Sequence, residues 1–148
     1  MHINFRPAEK KHLEVALKMM RDFHAIDEYP FDEAVIKSLF LGFIIKESSG
    51  RFWLIEVDER IAGYVVLAFG FSFEYLGRDA FIDEFYIEEK FRNGGIGQKA
   101  LDFVFKEAKA LNIQVLHLEL EKHNMPGHHL YLKNGFDNNN RYLLHKVL

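Results

Sequence analysis

The sequence Phe91-Arg92-Asn93-Gly94-Gly95-Ile96-Gly97 lies between a strongly β-prone stretch, residues 80–87, and the clearest helical pattern in the chain. The start of a helix exposes unpaired N–H groups and a partial positive charge, and glycines let a phosphate come close to them. Residues 92–98 are therefore a candidate pyrophosphate cradle, in which Arg92 adds a charge. The alternative is a plain strand-to-helix connection, because glycine-rich turns are common.

The same turn also fits the dinucleotide-binding pattern G-x-G-x-x-A over residues 95–100. In that fold the glycines follow the strand directly, whereas here residues 88–94 separate Ile87 from Gly95. No Gly-Lys-Ser/Thr follows, which excludes a P-loop. A nicotinamide-dependent oxidoreductase is therefore the weaker alternative.

On both sides of the turn, hydrophobic periodicity predicts the element order β-α-α-β-β-β-α-β-α-β. The expected strands are residues 3–7, 52–57, 61–71, 80–87, 115–120 and 142–147, and the longer helices cover residues 13–29, 33–43 and 96–111. Pro126 opens a short helix that Gly135 ends. Hairpins in the first half and a βαβ crossover in the second predict a mixed α/β fold with helices on the faces of the sheet.

Composition narrows the class of protein. The chain has 148 residues, 49% hydrophobic, and no proline- or glycine-rich linker, so we expect a single domain over residues 1–148. The net charge is −3, and the sequence has no basic stripe; both features disfavour nucleic acid as a binding partner. The absence of cysteine excludes thiolate chemistry. With no signal peptide and no apolar run of about 20 residues, we expect a cytoplasmic protein that does not bind membranes.

The glycine turn resembles the Arg/Gln-x-x-Gly-x-Gly/Ala signature of the GNAT superfamily of acyl-CoA-dependent N-acyltransferases. The preceding strand, residues 82–87, is similar to the strand before that signature in the family. Residues 124–136, NMPGHHLYLKNGF, resemble the family's second block, Asn-x-x-Ala-x-x-Leu-Tyr-x-x-x-Gly-Phe. Gly127 departs from the usual alanine, and we expect it to weaken the short helix slightly.

The resemblance implies a central, mostly antiparallel mixed sheet with two splayed parallel strands and acetyl-CoA as cosubstrate. It places the pyrophosphate on the backbone of the glycine turn, pantetheine along the edge of residues 85–87, and Asn124 on the CoA arm. The candidate cofactor-binding residues are thus Phe85, Tyr86, Ile87, Arg92, Asn93, Gly94, Gly95, Ile96, Gly97, Gln98, Asn124 and Tyr131.

The implied reaction is direct acetyl transfer to an amine, which must first lose a proton because an alkyl ammonium has a pKa near 10.4. Glu84 is the first candidate base and Asp83 the second; since adjacent strand residues point to opposite faces, we expect only one to face the amine. The family position of Tyr131 implies that its phenol serves the leaving thiolate. A backbone N–H near Ile87 would stabilise the oxyanion.

The Asp83-Glu84 pair resembles the Glu-Asp pair of spermidine/spermine acetyltransferases, which suggests a small cationic amine, polyamine-like or amino-acid-like. Asp27, Glu28, Asp32 and Glu33 either add negative charge near the acceptor or act as a solvated loop and helix cap. His123, His128 and His129 show no metal-ligand spacing, so no metal is expected. Protein acetylation and a non-catalytic acyl-CoA-binding module remain alternatives. Many relatives are dimers, so a homodimer is an expectation by analogy.

Overall fold

Five strands form one sheet in the computed structural model, which describes residues 1–148. They are β1 (Ile3–Pro7), β2 (Gly50–Val57), β3 (Arg60–Ser72), β4 (Gly77–Ile87) and β5 (Val115–His117). The strands lie in sequence order across the sheet; β1 to β4 pair antiparallel, and β5 pairs parallel to β4. The mixed, mostly antiparallel sheet expected from the sequence is confirmed.

The helices cover both faces of this sheet, as predicted. They are α1 (Leu13–Ile26), α2 (Glu33–Ile45), α3 (Ile96–Ala110) and α4 (Met125–Lys133), with single 3-10 turns at Lys10–His12 and Glu89–Phe91. On one face, Met19 of α1 and Phe40 of α2 pack against Phe52 and Tyr64. On the other, α3 packs against the opposite sides of the same strands. Successive strand residues alternate between the two faces, and helices cover both of them. For this reason β2 and β3 are apolar along most of their length.

The turn between β2 and β3 fixes the register of the central hairpin. Asp58 and Glu59 both have positive φ, 47° and 65°, and Val57 pairs with Arg60 across them. A two-residue turn with left-handed backbone matches the twist of the flanking strands, which keeps the core-facing residues of both strands in line.

Two predicted strands differ in the structure. β5 ends at His117 rather than at residue 120, and residues 141–148, predicted to be a strand from 142 to 147, have no regular structure. Their apolar side chains are exposed, Tyr142 to 94% and Leu144 to 86%. Sequence periodicity detects that a segment suits a strand, but a strand exists only where an edge pairs with it, and no edge of this sheet pairs with these residues.

The second helix is apolar on nearly every side. Asp32 caps it by accepting a hydrogen bond from the Val35 N–H at 3.2 Å. Phe40 is buried, whereas Val35 and Leu39 are exposed to 51% and 61%. An amphipathic surface helix would place polar residues on its outer side. None of the helices combines the length and hydrophobicity needed to cross a bilayer.

Candidate active site

A gap opens between β4 and β5. The two strands pair over only three positions, the last being Phe81 with His117. Beyond it β4 continues to Ile87, paired with β3 on one side and with no strand on the other. The expected splay of two parallel strands is therefore confirmed, and residues 82–87 offer a free backbone edge to the gap.

A β-bulge in β4 brings both acidic candidates to the same place. Val66 pairs with Glu84 and Leu67 with Ile82, so Asp83 is the extra residue. Both carboxylates line one cavity between the sheet and α2. Adjacent strand residues were expected to point to opposite faces, but strict alternation fails at a bulge, so both residues line this cavity.

Glu84 is the more enclosed of the two and is held at both oxygens. The hydroxyl of Tyr64 donates to Oε1 at 2.8 Å, and His24 Nε2 lies 2.7 Å from Oε2. The Glu84 side chain is 14% exposed. Burial raises the pKa of Glu84, and the hydrogen bonds from Tyr64 and His24 oppose this rise. The result is an oriented carboxylate that holds a proton more readily than a surface glutamate.

Asp83 is less constrained. It is exposed at the cavity wall and makes no side-chain hydrogen bond. Desolvation by the surrounding wall raises its pKa, while the nearby His24 acts in the opposite direction. It lacks the fixed orientation of Glu84.

His24 was missed as a site residue by the sequence analysis. It lies on α1 among core-facing apolar residues, and its Nδ1 is 3.3 Å from the carbonyl oxygen of Pro30. The signal available was a histidine on an apolar helix face, which is more often a structural residue. Only the fold shows that Glu84, sixty positions later, lies beside it.

The cavity that Asp83 and Glu84 line has a volume of about 530 Å³, within the range of small-molecule sites. Its walls come mainly from α2, with Met20 of α1, and its floor is Phe52 and Val66. Asp27, Glu28, Asp32 and Glu33 do not line it. Asp32 caps α2 and Glu33 pairs with Arg21, which fits the structural alternative for those two acids.

The glycine turn has the geometry of an anion cradle. Asn93 and Gly95 have φ of 63° and 77°, and none of the backbone N–H groups of residues 93–98 donates a hydrogen bond within the chain. A Cβ placed on Gly95 would meet no atom within 4 Å, so the space beside the turn is open. These donors lie at the start of the long helix α3, where a negative charge is favoured.

The side chains around the turn have separate tasks. Arg92 Nε donates to the Ile87 carbonyl at 2.8 Å and its guanidinium lies over the Tyr86 ring, which holds the cation at the end of β4. Gln98 bonds to Asn134 and Asp102, so only its backbone N–H remains for a ligand. Ile96 is buried in the core, and Gly94 carries no side chain.

Two glycines allow α4 to pack where it does. A Cβ on Gly97 would lie 3.2 Å from Leu130, and one on Gly127 would lie 2.6 Å from Asn124 Nδ2 and 2.9 Å from Leu120. Gly127 therefore fits its place, rather than only weakening the helix as expected. Asn124 caps α4 through its Oδ1, which accepts from the Gly127 N–H at 3.0 Å.

Tyr131 lies on α4 and packs edge-on against Phe136, with ring centroids 5.6 Å apart. It is half-buried, and its hydroxyl makes no hydrogen bond within the chain. Burial raises the pKa of Tyr131 to about 12. The phenol is thus a hydrogen-bond donor without a partner in the fold.

The loop before α2 contacts the loop before α4. His123 Nε2 lies 2.6 Å from Asp27 Oδ1, and the Tyr29 hydroxyl donates to Glu121. Ligand atoms of Asp27, Glu121 and His123 lie within 4.8 Å of one another. The contact between His123 and Asp27 and the hydrogen bond between Tyr29 and Glu121 account for this grouping, in which His123 is exposed.

Comparison with known proteins agrees with this geometry. Residues 16–136 match the model of the acetyltransferase (GNAT) family. No curated protein sequence matches the chain.

Solved structures share the fold over almost the whole chain. An integron cassette protein from the mobile metagenome of Cole Harbour Salt Marsh is 28% identical, with a TM-score of 0.87 over 97% of this chain and 90% of that one. A predicted acetyltransferase from Clostridium acetobutylicum, solved with acetyl-CoA, is 24% identical, with a TM-score of 0.79 over 98% and 96%. A GNAT family acetyltransferase from Staphylococcus aureus is 19% identical, with a TM-score of 0.76 over 99% and 100%.

The family match covers most of the chain, and the splayed strands and glycine turn are the features that the sequence resemblance implied. The chain therefore belongs to the GNAT family of acyl-CoA-dependent N-acetyltransferases.

Proposed function

We propose that the chain transfers the acetyl group of acetyl-CoA directly to a primary amine of a small molecule, with Glu84 as the base. The observation that carries this proposal is the position of Glu84. Glu84 belongs to β4, the strand whose backbone edge faces the gap, and its carboxylate is oriented by Tyr64 and His24. A base and a cofactor edge on one rigid strand are held in a constant relation to each other.

The first task of the site is to take a proton from the incoming ammonium. An alkyl ammonium has a pKa near 10.4, so its deprotonation at pH 7 costs about 4.6 kcal/mol of free energy. A carboxylate with a raised pKa reduces the mismatch between the two groups, which improves general-base catalysis. Burial raises the pKa of Glu84 in this direction. Asp83, beside it, adds a second negative charge that attracts the cation.

His24 and Tyr64 hold the two oxygens of the Glu84 carboxylate in place. His24 Nε2 contacts Glu84 Oε2, and its Nδ1 lies near the Pro30 carbonyl, which fixes the orientation of the ring. Tyr64 is fully buried and fixes the other carboxylate oxygen. We assign His24 and Tyr64 as positioning residues for the base.

The residues around the glycine turn fit the cosubstrate of the family. The unpaired N–H groups of residues 93–98, the open space at Gly95 and the cation of Arg92 suit the pyrophosphate of CoA. The free edge of residues 85–87 suits the amide groups of pantetheine. Asn124 uses its Oδ1 to cap α4, which leaves its Nδ2 to donate to the same arm. When bound, acetyl-CoA supplies the thioester carbonyl that the amine attacks.

Tyr131 serves the leaving sulfur in this proposal. Thiols ionise near pH 8.5, so a phenol with a pKa of about 12 would give up its proton only at a cost of about 5 kcal/mol. A hydrogen bond from the phenol to the sulfur avoids that cost and still stabilises the developing charge. We therefore expect donation without complete proton transfer.

Thermal unfolding with acetyl-CoA, CoA or NAD, followed by thiol release with a panel of amines, tests the proposal. A ligand at 100 times its Kd stabilises by about 2.7 kcal/mol, which is several degrees for a chain of this length. We expect a shift with both CoA species and none with NAD, and thiol release that depends on the amine. A shift without thiol release for any amine would instead identify a non-catalytic CoA-binding module.

A further inference from the structure

We infer that the acceptor is a monoamine with an apolar body, which lies along α2, rather than a polyamine. The inference rests on the proposed function and narrows its substrate class. It is carried by the distribution of charge and apolar surface in the cavity of about 530 Å³.

The negative charge of this cavity is concentrated at one end. Asp83 and Glu84 are the only acidic residues that line it, and they are adjacent on β4. Glu84 contacts His24, whose ring packs against Phe31 just before α2 begins. One ammonium group is therefore matched, at the end of the cavity near the start of α2.

The opposite end carries a positive charge. Lys46 caps the C-terminus of α2, and it lines the cavity together with Ser49. Phe43, one turn earlier, lies against Gly50, which pairs with Ala68 farther along the sheet from Glu84. An amine with its nitrogen at Glu84 thus directs its far end toward Lys46.

The wall between these ends is apolar. It consists mainly of Ile36, Leu39, Phe40 and Phe43 of α2, above the floor of Phe52 and Val66. Burial of an apolar chain against such a wall is favourable by about 25 cal/mol per Å². A second ammonium placed there would lose hydration without gaining an anionic partner, and it would face the like charge of Lys46.

The wall also accounts for the exposed apolar side of α2. Leu39 is 61% exposed although it faces the cavity, and a ligand seated there would cover it. Val35, one turn earlier and 51% exposed, does not line the cavity. Substitutions at Leu39 and Val35 can therefore be compared on the same helix, because only Leu39 lines the cavity.

Heptylamine and 1,6-diaminohexane test the inference because they have the same length and differ in a terminal methyl or ammonium group. We expect kcat/KM for acetylation of heptylamine to exceed that for the diamine by about 100-fold. Equal rates, or a preference for the diamine, would overturn the inference and leave the proposed function intact. Acetylation of no amine at all would remove the proposed function and this inference with it.

Two pairs of variants locate the effect. Lys46→Glu should raise kcat/KM for the diamine about tenfold, whereas Lys37→Glu, the same change at an exposed site of α2 outside the cavity, should leave the ratio of the two amines unchanged. Leu39→Ser should lower kcat/KM for heptylamine several-fold, and Val35→Ser should not. Equal effects within either pair would place the acceptor elsewhere and overturn the inference.

Discussion

His24 Nε2 and Glu84 Oε2 lie 2.7 Å apart, although sixty positions separate the two residues in the sequence. The contact joins α1 to β4 across the face of the sheet that carries the cavity. It fixes a carboxylate that would otherwise rotate, and rotation of a general base lowers the fraction of encounters with correct geometry. The pair therefore connects the packing of α1 to the chemistry proposed for β4.

Replacement of the proposed base tests this connection directly. Glu84→Gln keeps the shape and one acceptor oxygen but removes the proton acceptor, so we expect kcat/KM for the amine to fall by about 10²–10⁴-fold. Asp83→Asn is the matched control in the same cavity, and we expect a much smaller loss. A larger loss in Asp83→Asn than in Glu84→Gln would exchange the roles of the two residues.

The hydrogen bond from Tyr64 predicts a change in pH dependence. This bond lowers the pKa of Glu84, so its removal in Tyr64→Phe raises the pKa further. The base is active only when deprotonated, and the acid limb of the kcat/KM profile should therefore move to higher pH. Tyr86→Phe, a neighbouring ring on the same face without a bond to Glu84, should leave the limb in place. A shift to lower pH in Tyr64→Phe would contradict this assignment.

The unpartnered phenol of Tyr131 predicts a loss confined to turnover. Tyr131→Phe should reduce kcat by about 10²–10³-fold, the usual effect of removing one donor to a developing negative charge, with acetyl-CoA binding nearly unchanged. Calorimetric binding and steady-state thiol release measure the two quantities. Tyr142→Phe, at an exposed position, is the control. Wild-type turnover in Tyr131→Phe would exclude the phenol from the reaction.

The role of the glycine turn in binding CoA can be tested with two variants that impose similar backbone strain. Gly95 and Gly135 have φ of 77° and 88°, and a Cβ on either meets no atom within 4 Å. Gly95→Val and Gly135→Val therefore carry similar conformational penalties, and only the former fills the proposed cradle. We expect loss of the thermal shift by CoA in Gly95→Val alone. Equal CoA affinity in the two variants would show that the turn is a structural connection.

Two other glycines predict stability changes of opposite sign. In Gly127→Ala the new methyl would lie 2.6 Å from Asn124 and 2.9 Å from Leu120, so we expect a destabilisation of about 1–3 kcal/mol. Gly42 lies within α2 with no atom near its Cβ position, and Gly42→Ala should stabilise by about 0.5–1 kcal/mol. Denaturant unfolding of both variants measures the two values, and the same sign in both would contradict the packing described for α4.

The sequence could predict features that depend on neighbouring residues. The turn at Gly95 and the apolar face of α3 are local patterns, and both lie where they were expected. The bulge at Asp83 could not be predicted, because it depends on how β3 and β4 align. The same holds for His24 beside Glu84, since a contact between distant elements leaves no periodic signal. The strand predicted at 142–147 was wrong for the related reason that pairing depends on an available edge.

The acidic end and most of the apolar wall of the cavity come from two elements, β4 and α2, that can change independently during evolution. Asp83 and Glu84 belong to β4, which is fixed by its ladder with β3, whereas most of the apolar wall belongs to α2 at the surface. Mutations on the outer helix can reshape what the cavity accepts without moving the reactive groups. The reactive groups on β4 and the acceptor specificity set by α2 can therefore evolve at different rates.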